Sequence, residues 1–272
     1  MNDFVDDRHH VQSMLMRESL IDRDVLKSTE ASVVRMLPDA HVVKVGGRSI
    51  LDAGRAVVFP FVEAIGKALG KNQLVLGVGG GVRTRHLFSI GIDLGLPTGV
   101  LAQLSAADAN GCAHILGTLL APYGVVAIPP EMFGHLLPFL VKAVPGVIFN
   151  GVPPYSLWEH PPVLGRIPPH RTDAGCLLLA ECFGCKSLIL VKDVDGLFDR
   201  DPKQDSNAKF IREISVAELD RLSLKTLPFD RVILKILKTS RLIKQFQIIN
   251  GHKPELLAAA LDGECVGTIV HM

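Results

Sequence analysis

Three short apolar segments, each running directly into a glycine turn, set the strongest constraint on the fold. They read AHVVKVGG (40–47), QLVLGVGGG (73–81) and SLILVKDVDG (187–196). Apolar runs without alternation are typical of strands buried on both faces of a parallel sheet. Helical patterns separate them, as in residues 53–70 and 172–183. The sequence therefore predicts an α/β fold with a mostly parallel central sheet covered by helices on both faces.

The sequence as a whole predicts an N-terminal arm followed by one domain. Residues 1–39 contain no glycine and mix charges with loosely spaced apolar residues. They predict an arm that packs on a neighbouring subunit, with a frayed terminus as the alternative. Residues 40–272 form the predicted domain, with helices over 82–95 and 106–121. Residues 152–170 contain three Pro-Pro pairs and form a stiff loop of the kind found at sites or interfaces.

Charge and hydropathy exclude several classes of function. The chain has 29 Lys and Arg against 28 Asp and Glu, so no polybasic surface is expected for nucleic acid or membrane. Mean hydropathy is +0.31, which predicts a thick core or large subunit interfaces. The most apolar stretch, 124–151, is interrupted by four prolines and does not suit a membrane span. The polar N-terminus lacks the pattern of a signal peptide, so a cytoplasmic protein is expected.

The carboxyl ends of the predicted strands suit an anion. The first strand ends in Lys44, Gly46 and Gly47, and the third ends in Lys192. The second ends in a triple glycine, followed by a helix that begins with Arg83: Gly79, Gly80 and Gly81. Glycine turns expose backbone N–H groups, and ligands bind beyond the carboxyl ends of parallel strands. The alternatives are glycines that only allow close packing and lysines that only extend into water.

Asp173 is the candidate acid of this crevice. It lies in HRTDAGCLLL, just before an apolar helical run. One interpretation is that Thr172 or Asp173 caps the helix. The other, which we favour, is that Asp173 faces the crevice and orients lysines or Mg²⁺, as phosphoryl transfer requires.

The motifs KVGG, GVGGG, RTDAG, KDVDGLFDRDPK and VGTIV, in this order, resemble the amino-acid kinase superfamily and its uridylate-kinase branch. The resemblance implies a three-layer α/β/α sandwich that binds ATP with Mg²⁺ across its strand ends. It implies that Lys44 and Asp173 act in catalysis and that Lys44 and the glycines of both turns contact the nucleotide. From their own positions at the strand ends, Lys192 is a further candidate for catalysis, and Lys192 and Arg83 are further candidates for nucleotide contacts. The adenosine pocket would be formed by Asp195, Gly196, Phe198, Asp201 and Pro202.

A narrower resemblance is to the molybdenum storage proteins, and more to their β-type than to their α-type subunits. It rests on RHLFSIGIDLGLPTGVLAQL, GVPPYSLWEHPP and INGHKPELLAAALDGECVGTI, and it extends into residues 12–40. The resemblance implies a hetero-hexameric cage with an α-type partner subunit. Such a cage would use Mg-ATP to load molybdate or tungstate as oxide clusters.

Two other functions stay open. One is a uridylate kinase, with Arg83, Arg85 and Asp108 as candidates for the acceptor site. Kinases of the superfamily usually have threonine where Lys192 stands, which argues against nucleoside kinase activity. The other is a catalytically silent subunit that only completes the cage of an active partner.

The residues that would touch metal are not fixed by the sequence. The histidine run of α-type subunits is absent after Tyr155. His114 and His135 lie in apolar helical contexts, which predicts satisfied core histidines rather than ligands. His160 and His170, in the proline-rich loop, are better candidates.

Overall fold

The computed structural model describes residues 34–153, 167–200, 205 and 207–272. Ten strands lie in those residues: β1 Ala40–Val45, β2 Gln73–Val78, β3 Val125–Ala127, β4 Gly146–Phe149, β5 Ser187–Lys192, β6 Leu197–Phe198, β7 Phe210–Ile211, β8 Glu213–Ser215, β9 Gln245–Asn250 and β10 Thr268–His271. Eight α-helices lie between them: α1 Arg55–Leu69, α2 Gly81–Asp93, α3 Thr98–Leu120, α4 Phe133–Ala143, α5 Thr172–Phe183, α6 Val216–Leu222, α7 Val232–Thr239 and α8 Leu256–Leu261.

Eight of the strands form one sheet in the order β3-β4-β2-β1-β5-β9-β10-β8. β1 is parallel to both of its neighbours, so that Lys44 pairs with Gly77 of β2 and with Leu190 of β5. The β9–β10 pair is antiparallel, and the other pairs of this sheet are parallel. The carboxyl ends of β2, β1 and β5 therefore lie side by side at one edge.

Helices cover both faces of the sheet, as the sequence predicts. Val42 of β1 belongs to a core that includes Leu137 of α4 and Leu177 of α5. Val43, the next residue, belongs to the opposite core, which includes Phe61 of α1 and residues of α3 and α8. Successive strand residues point to opposite faces, so β1 is buried on both. The architecture is the predicted three-layer α/β/α sandwich.

Helix α3 differs from its predicted extent of 106–121, since it begins at Thr98. Pro97 and Gly99 mark a turn in the sequence, but Pro97 is the residue that precedes the helix, with extended backbone angles. Leu101 is fully buried, and Gly91 of α2 leaves room for its side chain. Packing between α2 and α3 thus overrides the local turn signal.

Residues Arg35–Met272 form one compact unit. The predicted arm, residues 1–39, falls mostly outside the described residues, as does most of the proline-rich loop. The division into an arm and a single domain stays a prediction. Within the described ranges, the helices are too short or too polar to cross a membrane.

Candidate functional site

A cavity of about 580 Å³ lies at the sheet edge where β1, β2 and β5 end. Its walls include the turns after β1 and β2, the end of β5, the start of α5, the loop before α7 and part of α2: 46–49, 79–81, 192–193, 171–173, 227–230 and 84–85. Lys44 also lines it. Five cationic and three anionic side chains line the cavity within the described residues, so its charge suits an anion.

The chemical centre of the cavity is a carboxylate that joins two lysines. Asp173 Oδ1 lies 2.8 Å from the Nζ atom of Lys44, and Oδ2 lies 2.8 Å from the Nζ atom of Lys192. The three side chains are 3%, 7% and 10% exposed, in the order Asp173, Lys44, Lys192. β1, β5 and the first turn of α5 supply one group each. We refer to this arrangement as the lysine bridge.

The lysine bridge decides two alternatives left by the sequence. Lys44 does not extend into water, because it is buried. Asp173 does not cap α5, because Arg171 occupies the N-cap position and Asp173 lies inside the helix. The interpretation of Asp173 as a residue that orients lysines therefore fits the geometry.

The three groups perturb one another's ionisation. Burial alone would raise the pKa of Asp173, but the ammonium groups of Lys192 and Lys44 outweigh it and hold that pKa well below its usual range. Burial also opposes the charge on Lys44, yet the Asp173 carboxylate raises the pKa of Lys44. For Lys192, burial prevails with the help of the like charge of Lys44, and lowers the pKa of Lys192. One carboxylate thus serves two ammonium groups, which leaves the bridge with surplus positive charge.

The two glycine turns pack against each other beside the lysine bridge. A Cβ atom on Gly47 would lie 2.2 Å from the carbonyl oxygen of Gly79 and 2.3 Å from the nitrogen of Gly81. A Cβ atom on Gly79 would lie 3.6 Å from the Nζ atom of Lys44. Close packing of the two turns therefore requires glycine at position 47, and the same turns also line the cavity.

Some backbone donors of these turns are already used. The N–H of Gly79 donates to the Val45 carbonyl at 3.1 Å, and the N–H of Val82 donates to Asp52 Oδ2 at 2.6 Å. The N–H groups of Gly47 and Gly80 have no acceptor in the described part of the chain. They are among the donors of the turns that a bound anion could use.

Asp230 is a cavity residue that the sequence analysis missed. Its backbone N–H donates to Asp173 Oδ2 at 2.9 Å, and its carboxylate accepts a hydrogen bond from Arg171. Burial, followed by the negative charge of Asp173, raises the pKa of Asp230. An aspartate before a helix is ordinarily interpreted as a cap, so the local sequence carries no signal for this contact.

Three of the five residues predicted for the adenosine pocket lie outside the lining of this cavity. Asp195 accepts hydrogen bonds from Asn250 at 2.9 Å and from Lys253 at 2.6 Å, and its side chain is half exposed. Gly196 and Phe198 follow it along the chain, and none of these three predicted residues lines the cavity. Asp201 and Pro202 lie outside the described residues. The adenosine pocket stays a prediction.

The predicted acceptor residues divide into two groups. Arg85 lines the cavity, together with Thr84. Arg83 does not line it, and its guanidinium donates to the Cys112 sulfur at 3.0 Å. Asp108 is also outside the lining, and its buried Oδ2 atom has no hydrogen-bond partner among the described residues. The geometry therefore favours Arg85 over the other two for contact with a ligand.

The histidines give no metal site in the described residues. His114 and His135 are exposed, so the expectation that they are buried core residues was wrong. Their helices present these positions to solvent although the neighbouring residues are apolar. His170 is partly buried, and His160 lies outside the described residues. The described ranges contain no cluster of three His, Cys, Asp or Glu side chains that could hold a metal ion.

A three-layer sandwich with a cavity at the carboxyl ends of its parallel strands is the arrangement of α/β proteins that bind ligands at this edge of the sheet. Residues 40–249 match the amino acid kinase family, and the chain belongs to that family.

Relatives and solved structures extend this assignment. The chain is 44% identical to the molybdenum storage protein subunit beta of Azotobacter vinelandii over 96% of each chain. It is 28% identical to the uridylate kinase of Methanothermobacter thermautotrophicus, over 84% of this chain and 97% of that protein. The crystal structure of the uridylate kinase from Archaeoglobus fulgidus superposes with a TM-score of 0.64 at 25% identity, covering 85% of this chain and 99% of that one.

Proposed function

We propose that this chain is a subunit of a molybdenum storage assembly. In this proposal the cavity binds Mg-ATP, and hydrolysis of ATP drives the loading of molybdate or tungstate as oxide clusters. The observation that carries the proposal is the 44% identity, along nearly the whole chain, to a molybdenum storage protein subunit beta. That relative's name also supports a second, α-type subunit as the partner, which we propose forms a hetero-hexamer with this chain.

The cavity fits the phosphates of a nucleotide. Lys44 and Lys192 offer two ammonium groups against the single carboxylate of Asp173. Gly47 and Gly80 offer backbone N–H groups, and the lack of a side chain lets a phosphate come close to them. Mg²⁺ would enter with the phosphates and neutralise their charge, because it usually keeps several waters and needs few protein ligands.

The residues of the lysine bridge would act by position and charge. Phosphoryl transfer depends largely on alignment and on neutralising the charge of the transferred group. Lys44 would bind phosphate oxygens, and Asp173 would keep the two ammonium groups at a fixed separation. The same carboxylate keeps Lys44 protonated, since it raises the pKa of Lys44 despite burial.

The uridylate kinases remain the second candidate. Their likeness covers 84% of this chain, and Arg85 lines the cavity where it could contact a second phosphate-bearing substrate. The storage proposal is preferred because the identity to the storage subunit is higher and extends further along the chain. A silent subunit is the third candidate.

One experiment separates the three functions. The protein is incubated with Mg-ATP and either molybdate or tungstate and then desalted, and metal per chain is measured by elemental analysis. UMP phosphorylation is assayed alongside. We expect retained metal well above one atom per chain that depends on ATP, since a cluster enclosed in an assembly leaves slowly whereas a surface-bound oxyanion is exchanged and screened by salt.

Two variants serve as controls for this experiment. Lys44→Met should abolish the ATP dependence, whereas Lys238→Met, which changes an exposed lysine outside the cavity, should not. Formation of UDP without retained metal would favour the kinase. No UDP, together with metal that is retained only with an α-type subunit and is unaffected by Lys44→Met in this chain, would favour the silent subunit.

A further inference from the structure

Asp230 joins the loop before α7 to the first turn of α5. It donates its backbone N–H to Asp173 Oδ2 at 2.9 Å, so it holds the oxygen that also binds Lys192. Its carboxylate pairs with Arg171, the N-cap residue of α5, whose side chain is 43% exposed. These two contacts link positions 57 and 59 residues apart in the chain.

The negative charge of the Asp230 carboxylate opposes the binding of an anion in this cavity, so its presence there calls for another role. Its side chain is only 13% exposed and lies beside the negative charge of Asp173. A buried carboxylate in a cavity that binds anions weakens binding by repulsion. The contact with the Arg171 guanidinium offsets part of this penalty. The Nε atom of Arg171 is buried without a partner among the described residues.

We infer that Asp230 is a positioning residue for the lysine bridge, and that Arg171 and Asp230 act together as a clamp between α5 and the 227–230 loop. The inference rests on the proposed binding of Mg-ATP in this cavity. The clamp fixes Asp173 through the Asp230 N–H, and Asp173 in turn fixes the ammonium groups of Lys44 and Lys192. A ligand then meets preset charges, which lowers the cost of ordering them on binding.

A purely electrostatic role for the two residues predicts opposite effects. If Asp230 were only a negative charge in the cavity, Asp230→Asn would tighten ATP binding. Arg171→Gln would weaken it, and the two effects would add. If the pair is a clamp, both substitutions weaken binding, and the double variant is no worse than either single variant.

The first test measures Mg-ATP affinity by titration calorimetry in wild type, Asp230→Asn, Arg171→Gln and the double variant. We expect a dissociation constant about tenfold higher in each single variant and about the same increase in the double variant. Asp220→Asn removes an exposed carboxylate outside the cavity and should leave affinity unchanged. Tighter binding by Asp230→Asn, or losses that multiply in the double variant, would overturn the clamp.

A second test needs no ligand, so it separates failure of the clamp from failure of the proposed function. Hydrogen–deuterium exchange is compared for wild type and Arg171→Gln, a substitution at a partly exposed side chain that the fold should tolerate. We expect exchange to accelerate about tenfold at residues 171–174 and 229–231 and to stay unchanged in β1 and β5. Unchanged exchange in the two segments would refute the clamp. If exchange is faster in Arg171→Gln but the wild-type protein fails to bind Mg-ATP, the clamp is supported and the proposed function is refuted.

Discussion

Two lysine–aspartate contacts of similar length lie in opposite surroundings. Lys192 Nζ lies 2.8 Å from Asp173 in the cavity. Lys238 Nζ of α7 lies 2.5 Å from Asp220 Oδ2 of α6. The side chains of the first pair are 10% and 3% exposed, whereas those of the second are both 47% exposed. The buried carboxylate also serves Lys44, but Asp220 has one lysine partner among the described residues.

The contact distance alone therefore does not set the energy of an ion pair. Water and salt screen the exposed pair, and holding two long side chains together costs entropy, so such pairs contribute about 0–1 kcal/mol. Removing one partner of a buried pair leaves a charge without compensation, which costs about 3–5 kcal/mol. The difference between the two regions can therefore be measured directly.

The largest expected effect follows from removing the shared carboxylate. Asp173→Asn leaves two buried ammonium groups near each other without the carboxylate that contacts both of them. The free energy of unfolding should fall by about 3–5 kcal/mol. Asp220→Asn, the matched change at the exposed pair, should lower it by less than about 1 kcal/mol. Urea unfolding of both variants checks this, and equal small losses would show that the buried bridge is not a stabilising contact.

His41, a buried titratable group at the opposite end of β1 from Lys44, makes stability depend on pH. His41 is hydrogen-bonded to Ser187 at 2.8 Å, and burial, followed by the charge of Lys186, lowers the pKa of His41 from 6.5 to about 4. Because the folded value lies below the unfolded one, the contribution to stability is complete above pH 6.5 and is lost as pH falls through 4. At pH 5 this loss amounts to about 2 kcal/mol.

Replacing His41 tests this linkage. Between pH 7.5 and pH 5, the free energy of unfolding of His41→Gln should fall by about 2 kcal/mol less than that of wild type. Taking the difference between the two proteins cancels the other titrating groups, including Asp230, whose raised pKa acts in the opposite direction. Parallel pH profiles from urea unfolding would contradict the assignment.

A smaller effect is expected when one of the two buried lysines is removed. Lys192→Met deletes hydrogen bonds to Asp173, but it also removes the repulsion between Lys192 and Lys44 and the burial of a charge. Asp173 keeps Lys44 as its partner, so these effects nearly cancel, and stability should stay within about 1 kcal/mol of wild type. A loss as large as that of Asp173→Asn, measured by the same urea unfolding, would show that both lysines are required to balance the carboxylate.

The positions of Lys44 and Lys192 could be predicted because strand ends are local features. Apolar runs locate the strands, and the parallel arrangement brings their carboxyl ends to one edge. The contact between these lysines and Asp173 could not be read in the same way. It depends on where the start of α5 lies over the sheet, which is fixed by packing of the core rather than by the residues around Asp173.

Asp230 and α3 show why other parts were missed. Asp230 reaches Asp173 from a position 57 residues away in the chain, and its own surroundings resemble an ordinary start of a helix. The beginning of α3 was missed because Pro97 and Gly99 are turn signals that helix packing overrides. Local patterns predicted which strand ends lie at one edge of the sheet. Tertiary packing determines which polar groups meet there.

We propose that the buried lysine bridge, and not any exposed lysine, binds the phosphates of a nucleotide. The most direct test is titration calorimetry of Mg-ATP with wild type, Lys44→Met and Lys238→Met. Loss of a charge-assisted contact should weaken binding by about 1.5–3 kcal/mol in Lys44→Met, and Lys238→Met should bind like wild type. Equal affinity for Mg-ATP in wild type and Lys44→Met would contradict the account.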